Sequence, residues 1–596
     1  MEPMIALVPA CETSFITVQE RVKCQTLEAL FFEEIIPVMK RGQEYAFQGR
    51  SARGDTVFYT CEIVEKWSFG RVKVKPYSIK RNGDTNVNIY TFLEEIVQTL
   101  EGQYTTTFVQ ELLETFVKDS QSKSSQPAFI PTDDFHYEAL ESYMIDGHPY
   151  HPSYKSRIGF TLADNYCYGP EFNQNIALNW IAVHQDLVDI AFLGTTAINE
   201  MYRHHLQAEE LAKFKKQLRE QIEEDEEAYI FLPVHPWQYT NIVPKVFFKQ
   251  ITDNTIVLLG KSSSLYRAQQ SIRSLSNRHC PQATYLKLPL NIINTSTNRI
   301  LAHHTTQNAP IISEWLDKII KSDEYLKTHR FEILKETIGI SFRYHQLSSI
   351  QYSMAYGTLG VIHRENINHY IEKGEQAWPL NAMMHKQGNG EAFIKQAIDL
   401  YGVEKWSKAL IQVLVTPIIH LLYVHGIALE SHAQNIILVL KNNFPNRVIV
   451  KDLHDGVRFC SAELLHPEWE PLLNPEPATH RQFNRYSFLK TPHASEVRDY
   501  TFDAFFFICM TELCFTLEEF GLGEEDFWRT CVEVILAYQQ QHPQYKNRFQ
   551  TFDLFAEDAL IEEMTKRRIY GDQTLYFRKA QNPLMRAMEL LQDEEK

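Results

Sequence analysis

A long run without any charged side chain, from Ala409 to Leu429, most restricts how this chain can fold. The run is long enough to cross a membrane, but it carries Gln412, Thr416, Pro417, His420 and His425, which are costly in lipid. A helix that is apolar on every side must be covered by other protein. We therefore predict a buried core helix that ends near Gly426, because glycine commonly terminates helices.

The chain has 596 residues, which suffices to enclose such a helix. At roughly 150 residues per domain, this length corresponds to three or four domains. The 75 acidic and 59 basic residues give a net charge of −16, whereas a duplex-binding groove is normally basic. We therefore expect no nucleic acid and no membrane as partner. A small anionic substrate remains compatible, because a pocket sets its own local field.

The nine cysteines include no C-x-x-C pair, which is typical of reduced thiols rather than of a disulfide or zinc framework. The N-terminus lacks the basic segment of a signal peptide. Both features predict a cytoplasmic protein.

Hydrophobic periodicity predicts a mixed α+β fold in three blocks, residues 1–140, 141–370 and 371–596. In the first block we predict a helix capped by Thr26, strands at 56–64 and 71–79, and a linker at 119–127. Arg71, Lys73 and Lys75 fall on one face of the second strand, which predicts a solvated edge. The second block contains predicted strands at 228–234 and 285–293, and the third block is mostly helical.

Two predicted strands, Ile436–Leu440 and Arg447–Lys451, form a hairpin that should bring Asn435 and Asp452 to the same rim. Protein kinases hold nucleotide-bound magnesium with a similar Asn and Asp pair. The alternative is a polar loop whose side chains satisfy backbone groups. His432 lies in the loop before the hairpin, where it could donate to phosphate or act as an acid or base. Glu430 shares that loop.

A second segment combines small hydroxyl residues with cations: Ser271-Ile-Arg273-Ser274, Lys287, Thr295-Ser-Thr297 and Arg299. Guanidinium forks, an ammonium group and hydroxyl donors suit an anion such as phosphate. Solvated surface cations are the alternative. A P-loop is excluded, because the glycine required before Gly260-Lys261-Ser262 is replaced by Thr255.

A third segment presents His148, His151, Lys155 and Arg157 within ten residues. Each histidine precedes a proline, which favours an extended loop. Four cationic or protonatable side chains suit a polycarboxylate. Zinc binding by the two histidines is the alternative, although no cysteine or acidic ligand accompanies them.

Together these segments resemble the IucA/IucC-type siderophore synthetases, also called the NRPS-independent siderophore (NIS) synthetases, and most of all their petrobactin-type branch. The similarity runs from about residue 140 to the C-terminus. It comprises the His148-Pro-x-His151-Pro loop, His235-Pro-Trp-Gln238, Ser271-x-Arg273-Ser274, Lys287, Thr295-x-x-x-Arg299, Arg364-Glu365, His425-Gly-x-x-x-Glu430-x-His432-x-Gln434-Asn435, Lys451-Asp452, Thr565-Lys566-Arg567-Arg568 and Asn582-Pro583-Leu584. Small departures are Ser274, Ala433 and Lys451, where the family often has Thr, Gly and Arg.

The resemblance implies a three-subdomain cradle of thumb, fingers and palm, often a homodimer, with ATP and Mg²⁺ between fingers and palm. It implies that citrate, or a citryl derivative, is adenylated and then captured by an amine, such as a polyamine, or by a hydroxyl. The implied ATP ligands are Ser271, Arg273, Ser274, Lys287, Thr295, Gln434 and Asn435, and the implied magnesium ligands are Glu430, Asn435 and Asp452. Catalysis is assigned to Arg299, His432 and His151, and carboxylate binding to His148, His151, Lys155, Arg157 and Lys566.

Three functions remain open from the sequence. The first is an AMP-forming acid–amine ligase. The second is a kinase-like phosphotransferase that uses Asn435 and Asp452 for Mg²⁺, although the kinase glycine-rich loop and H-R-D signature are absent. The third is a catalytically silent nucleotide-binding or scaffold protein, which the intact polar set disfavours.

Overall fold

The computed structural model describes residues 12–125, 130, 136–194, 198–223, 225–295, 297–483, 489–571 and 574–594. The fold mixes helices and sheets, as predicted, and the sheets are mostly antiparallel. The boundaries predicted near residues 140 and 370, and the homodimer, stay predictions.

The first part of the chain packs helices against a five-stranded sheet, in which β1 to β4 are neighbours in order and β5 pairs with β3. Its elements are α1 (Glu12–Phe32), β1 (Met39–Arg41), β2 (Glu44–Arg50), β3 (Thr56–Glu65), β4 (Val72–Val74), β5 (Lys80–Arg81), α2 (Ile89–Phe92) and α3 (Thr105–Lys123). The predicted cap at Thr26 is wrong. Thr26 lies inside α1, where its hydroxyl donates to the Val22 carbonyl at 2.7 Å.

The predicted linker at 119–127 is also wrong as far as the structure describes it. Residues 119–123 complete α3, and Asp119 and Ser122 are buried. Asp119 forms an ion pair of 2.6 Å with Lys155. The small polar residues therefore face a buried ion pair rather than solvent, which local composition does not reveal. Gln126 and Pro127 lie outside the described residues.

The predicted solvated edge is wrong for Arg71, which is buried and pairs with Glu512 at 2.6 Å. Lys75, at the other end of that row, is 62% exposed, as predicted. The row therefore passes from an interface with the C-terminal part of the chain to solvent.

The middle of the chain forms an eight-stranded antiparallel sheet of order β7-β15-β16-β11-β10-β9-β6-β8. Its elements are α4 (Tyr137–Tyr143), α5 (Leu162–Tyr168), β6 (Ile176–His184), β7 (Val188–Phe192), α6 (Ile198–His205), α7 (Ala208–Arg219), β8 (Tyr229–Val234), α8 (Pro236–Asn241), α9 (Val243–Val246), α10 (Phe248–Thr252), β9 (Ile256–Ala268), β10 (Ser274–Asn277), β11 (Tyr285–Lys287), β12 (Ile293–Asn294), β13 (Thr297–Asn298), α11 (His303–Ser322), α12 (Glu324–Thr328), β14 (Glu332–Ile333), β15 (Glu336–Phe342), α13 (Ser349–Ala355) and β16 (Gly360–Arg364). The strand predicted at 285–293 is shorter, because only 285–287 pairs with β10 and β16.

The last part is rich in helices. Its elements are β17 (Glu375–Pro379), α14 (Lys395–Tyr401), α15 (Val403–His420), β18 (Ile427–Leu429), β19 (Ile436–Lys441), β20 (Phe444–Val450), β21 (Val457–Phe459), α16 (Ala494–Thr501), α17 (Thr511–Glu518), α18 (Glu524–Gln541), α19 (Lys546–Thr551), β22 (Asp558–Glu562), α20 (Met564–Tyr570), β23 (Phe577–Gln581) and α21 (Pro583–Glu594). A four-stranded sheet of order β14-β20-β19-β17 lies beside these helices. The predicted hairpin is confirmed as β19–β20, with Ile436 opposite Val450.

The core helix is confirmed as α15, continued by a wider π-type turn over Leu421–His425. Two helical segments, Val403–His425 and Ala494–Glu518, are long and apolar enough to span a membrane. In each of them, 78% of the apolar 18-residue stretch is buried inside the protein. Gly426 ends the first segment at φ 70°, where a Cβ atom would lie 2.3 Å from the Glu463 carbonyl oxygen. Glycine is therefore required there by both conformation and space.

Candidate active site

The eight-stranded and the four-stranded sheets are joined by the short segment that runs from β14 to β15. β14 pairs in parallel with β20, and β15 begins three residues after β14 ends and joins the eight-stranded sheet. The Leu334 amide between them donates to the Val450 carbonyl at 2.9 Å. This junction brings the end of the β19–β20 hairpin to strands β10, β11 and β16.

Asp452, just beyond β20, lies against cations of the eight-stranded sheet. Its Oδ1 atom accepts hydrogen bonds from Lys287 Nζ at 3.1 Å and Arg364 Nη1 at 2.5 Å. Lys287 ends β11 and Arg364 ends β16, and these strands are neighbours. The structure thus brings together two predicted site residues, Lys287 and Asp452, with Arg364, which the sequence marked only through its family motif.

Two further residues of this cluster were missed by the sequence reasoning. Lys287 Nζ lies 3.1 Å from Nε2 of His454, whose Nδ1 lies 2.7 Å from Glu336 Oε1. Carboxylate oxygens of Glu336 and Asp452 and a ring nitrogen of His454 all lie within 4.8 Å of one another. His454 could have been found from its position two residues after Asp452, whereas Glu336 carries no local signal.

The cluster is electrostatically coupled. Burial acts to raise the pKa of Asp452, but the charges of Lys287 and Arg364 outweigh it and hold that pKa well below the usual range. Burial lowers the pKa of Lys287, although the nearby Asp452 opposes the shift. A buried lysine that keeps one carboxylate partner can still neutralise an incoming anion.

Arg273 and Arg299 lie next to each other beside the cluster. Arg273 Nη1 donates to the Arg299 carbonyl at 3.0 Å, and Arg299 Nη2 donates to the Asn294 carbonyl at 2.9 Å. Burial, and then the charge of Arg273, lower the pKa of Arg299 to about 10. The buried Nε atom of Arg299 has no hydrogen-bond partner in the described part of the chain. Two adjacent guanidinium groups with this surplus of positive charge are suited to an anionic ligand.

The hydroxyl residues around Arg273 differ in their hydrogen bonding. Ser271 Oγ accepts a hydrogen bond from the Ser274 amide at 3.1 Å, and Ser274 lies opposite Lys287 across the β10–β11 ladder. The buried Ser274 Oγ has no partner among the described residues. The Thr295 carbonyl accepts a hydrogen bond from Ser153 Oγ at 2.7 Å. This bond connects the segment around Thr295 and Arg299 to the His-Pro loop.

Three residues of this site have strained backbones. Ile272, Thr295 and Asp452 have φ values of 69°, 62° and 63°. These left-handed conformations are unfavourable for non-glycine residues and most of all for β-branched ones. Such strain concentrates at functional sites, where surrounding structure holds it.

The loop before the hairpin places Glu430 and Asn435 side by side. Asn435 Nδ2 donates to the Glu430 carbonyl at 3.1 Å and to Glu430 Oε2 at 3.4 Å, and the Asn435 carbonyl accepts from the Lys451 amide at 2.9 Å. The amide of Asn435 donates to the His432 carbonyl at 2.9 Å. Gln434, in the same turn, is partly buried. The loop thus presents oxygen atoms of Glu430 and Asn435 near Asp452.

The two histidines of the His-Pro loop share one tautomer. His148 Nδ1 accepts from the backbone amide of His151 at 2.8 Å, and His151 Nδ1 accepts from the Ser153 amide at 3.3 Å. In a neutral ring the proton then resides on Nε2, which can donate to an anion. His151 is fully buried, and its Nε2 has no partner within the described residues. This state favours a carboxylate over the zinc alternative, since zinc requires an unprotonated ring nitrogen.

Burial, and then the neighbouring His432, lower the pKa of His148 to about 3. The structure therefore brings the His-Pro loop close to the loop before the hairpin. Both histidines of the His-Pro loop are neutral at physiological pH, because burial also holds the pKa of His151 well below its usual value.

Two predicted carboxylate ligands already have partners within the protein. Lys155 is buried between Asp119 at 2.6 Å and Glu171 at 3.4 Å, and Arg157 pairs with Glu171 at 2.9 Å. These ion pairs hold the loop in place, and the role of both residues in carboxylate binding stays a prediction. Lys566 pairs with Glu563 at 2.8 Å and is 24% exposed, and its role stays a prediction.

Comparisons with known proteins agree with this fold. Two family models match: the IucA / IucC family over residues 136–385, and the Ferric iron reductase FhuF-like transporter over residues 404–576. A Staphylococcus aureus protein named 2-[(L-alanin-3-ylcarbamoyl)methyl]-3-(2-aminoethylcarbamoyl)-2-hydroxypropanoate synthase is 37% identical, over 95% of this chain and 92% of that protein. The Bacillus anthracis citryl-spermidine/3,4-dihydroxybenzoyl-citryl-spermidine:spermidine ligase is 34% identical, over 97% and 95%.

The crystal structure of the petrobactin biosynthesis protein AsbB from Bacillus anthracis superimposes with a TM-score of 0.90. It is 33% identical in sequence, and the match covers 98% of this chain and 97% of that one. These relatives are a synthase, a ligase and a siderophore biosynthesis protein, and this chain is accordingly a ligase of siderophore biosynthesis.

The chain belongs to the IucA/IucC family of siderophore synthetases, as its motifs predicted, with relatives in the petrobactin-type branch. These relatives do not favour the kinase-like alternative.

Proposed function

We propose that this ligase uses ATP to activate a carboxylate of a citryl compound as an acyl-adenylate and then joins it to an amine. In the first step a carboxylate oxygen attacks the α-phosphorus of ATP, and the bond to the β-phosphate oxygen breaks, releasing pyrophosphate. In the second step the amine nitrogen attacks the acyl carbon, AMP leaves, and the amine proton passes to solvent.

The observation that carries the proposal is a set of buried donors without protein partners. Among the described residues, His151 Nε2, Ser274 Oγ and Arg299 Nε are buried and unpartnered. Buried polar groups are normally hydrogen-bonded, because leaving them unpaired costs about 1–3 kcal/mol each. These three donors belong to residues that the family resemblance assigns to ATP binding or catalysis, and an anionic ligand would complete their hydrogen bonding.

The chemistry requires this surplus of positive charge. A carboxylate and a triphosphate repel each other, so a site that joins them must neutralise both. Lys287, Arg273 and Ser274 suit the phosphates, and Arg299 and His432 suit the point where carboxylate meets α-phosphate. His151 would donate its Nε2 proton to the substrate carboxylate. Most of the rate increase would come from positioning and charge neutralisation.

The residues also fit a magnesium ion, which prefers oxygen ligands. Glu430 and Asn435 are adjacent, and Asp452 stays ionised because its pKa is held well below the usual range. These three side chains would hold Mg²⁺, which would neutralise phosphate charge. Gln434 and Thr295 would complete the nucleotide pocket. Lys566 stays a candidate for the substrate carboxylate.

The names of two relatives support a citryl monoamide as the acid. One relative is a ligase of citryl-spermidine with spermidine, and the product named for the other carries two carbamoyl groups on a 2-hydroxypropanoate. In both cases the product is a citrate-derived acid that bears more than one amide group. We infer that this chain also adds a primary amine to an acid that already carries one amide.

Exchange of labelled pyrophosphate into ATP tests the first step, with citrate and a citryl monoamide as separate acids. We expect exchange that depends on the acid and on Mg²⁺, and that is faster with the monoamide. Product mass spectrometry with spermidine, putrescine and ethylenediamine then identifies the amine. Conversion of ATP only to ADP would contradict the proposed chemistry. Equal exchange with free citrate would contradict the preference for a citryl monoamide but not the adenylation step.

A further inference from the structure

A second polar cluster lies at the end of the core helix, apart from the site described above. Asp323 precedes α12, His420 ends α15, and His425 ends the π-type turn that continues it. Asp323 Oδ2 lies 3.0 Å from Nε2 of His420 and 2.9 Å from Nε2 of His425. The side chains are 13%, 3% and 3% exposed. One carboxylate oxygen and two imidazole nitrogens thus converge in a nearly closed space.

Other groups fix the orientation of these side chains. His420 Nδ1 lies 2.8 Å from the Tyr538 hydroxyl, and the ring of His420 stacks on Tyr325 at 4.4 Å between centroids. Asp323 Oδ1 accepts a hydrogen bond from the Leu326 amide at 2.9 Å, which caps α12. Metal-binding histidines and carboxylates are characteristically held by a second hydrogen bond of this kind, which sets their orientation.

The spacing is close to that of a tetrahedral metal centre. Metal–ligand bonds of about 2.0–2.1 Å place neighbouring ligand atoms about 3.3 Å apart. The observed separations of 3.0 and 2.9 Å require the side chains to move apart by a few tenths of an ångström. Without a metal, both imidazoles donate from Nε2 to the same oxygen atom. A cation bound to both Nε2 atoms would take the place of these donors, and each neutral ring would then carry its proton on Nδ1.

We propose that Asp323, His420 and His425 bind one Zn²⁺ ion, with water as the fourth ligand. Two imidazoles and one carboxylate are a common zinc ligand set. A cavity of about 310 Å³ lies next to the site, and its walls include Tyr325 and Tyr538, which both contact His420. Zinc fits this nitrogen-rich set better than Mg²⁺, which prefers oxygen ligands.

The position of the site indicates a structural role. His425 is followed by Gly426, by β18 and then by Glu430, so the ion would anchor the start of the chain segment that leads to the loop at the active site. It would also join α12 to the core helix. An ion bound only by the folded protein raises the melting temperature by mass action.

The test is metal binding by the full-length chain after treatment with a chelator and dialysis. The chain is incubated with Zn²⁺ in the presence of excess Mg²⁺, and bound zinc is counted by mass spectrometry. We expect one zinc per chain and a higher Tm. Asp323→Asn, which keeps a capping oxygen, and His420→Ala should lose both effects. The control His304→Ala alters a separate group of His304, Glu476 and His480 and should retain the zinc.

Cobalt substitution of the wild-type chain makes the test independent of whether the variants fold. Tetrahedral Co²⁺ with nitrogen and oxygen ligands should give visible d–d bands without thiolate charge transfer. A thiolate band would place the metal on cysteine and overturn the proposal. Failure of the wild-type chain to bind zinc, retention of zinc by Asp323→Asn, or loss of zinc in His304→Ala would also overturn it.

Discussion

Asp452 Oδ1 accepts a hydrogen bond from Lys287 Nζ at 3.1 Å, although 165 residues separate them in the chain. The contact joins the β19–β20 hairpin to strand β11 of the eight-stranded sheet. It also places the buried cation proposed for phosphate binding beside a carboxylate proposed for magnesium binding.

Replacing Lys287 by Ala should reduce the rate of adenylation by about 10²–10³-fold, the usual cost of losing one group that stabilises transition-state charge. Acid-dependent pyrophosphate exchange measures this rate. The control Lys395→Ala removes a lysine that is 50% exposed, and it should leave exchange unchanged. Near-normal exchange in Lys287→Ala would remove Lys287 from the phosphate site.

Arg299→Ala should abolish adenylation while the fold remains intact, because Arg299 is the cation assigned to the reaction centre. Pyrophosphate exchange and circular dichroism measure the two properties separately. Arg299→Lys should recover only a small part of the activity, since an ammonium group lacks the planar fork of a guanidinium group. Full recovery would show that charge alone matters, and unchanged activity of Arg299→Ala would refute the assignment.

His151→Ala should raise KM for the acid substrate, because the unpartnered Nε2 donor is proposed to contact its carboxylate. His235 is a matched control, as it is also buried, precedes a proline and has an unpartnered Nε2. His235→Ala should leave KM for the acid near the wild-type value. A similar increase in both variants would indicate a structural effect of emptying either site.

The stability of the fold should depend on pH through Glu33. Burial raises the pKa of Glu33 to about 7, although the amides of Lys566 and Thr565 and the hydroxyl of Tyr150 act to lower it. The pKa of glutamate in the unfolded chain is about 4.3. Between these values the folded chain holds a proton that the unfolded chain has lost, so stability should fall as the pH rises.

The protonated Glu33 makes its full contribution to the free energy of unfolding below about pH 4.3. The loss of this contribution should lower the free energy of unfolding by about 3 kcal/mol at pH 7. Urea unfolding across this range measures the slope. Glu33→Gln should flatten it, whereas Glu65→Gln, at a side chain that is 63% exposed, should not. A slope unchanged by Glu33→Gln would show that other groups cause it.

Asp119→Ala should destabilise the protein by about 3–5 kcal/mol, because it leaves the buried Lys155 charge without its nearest partner. Denaturant unfolding measures the loss. The double variant Asp119→Ala with Lys155→Met should recover much of it, since no buried charge then remains unpaired. An Asp119→Ala variant as stable as the wild type would show that this buried ion pair does not stabilise the fold.

Elements defined by neighbouring residues were predicted well. The uncharged run around His420 gave a buried helix, and two short apolar runs separated by a turn that begins at Lys441 gave the hairpin that brings Asn435 and Asp452 to the same rim. Predictions from composition failed at Asp119 and Arg71, because their partners Lys155 and Glu512 come from other parts of the fold. The residues next to Asp119 and Arg71 in the sequence do not indicate either partner.

The sequence by itself determined the family, the core helix, the hairpin and the set of residues able to carry anion chemistry. These features depend on local periodicity and on the order of motifs along the chain. Only the tertiary structure decided which charged residues are paired within the protein. Lys155 and Arg157 are paired with Asp119 and Glu171, whereas the Arg299 guanidinium group donates to the Asn294 carbonyl. The difference arises because the ionic state of a buried group depends on neighbours that folding brings from distant positions.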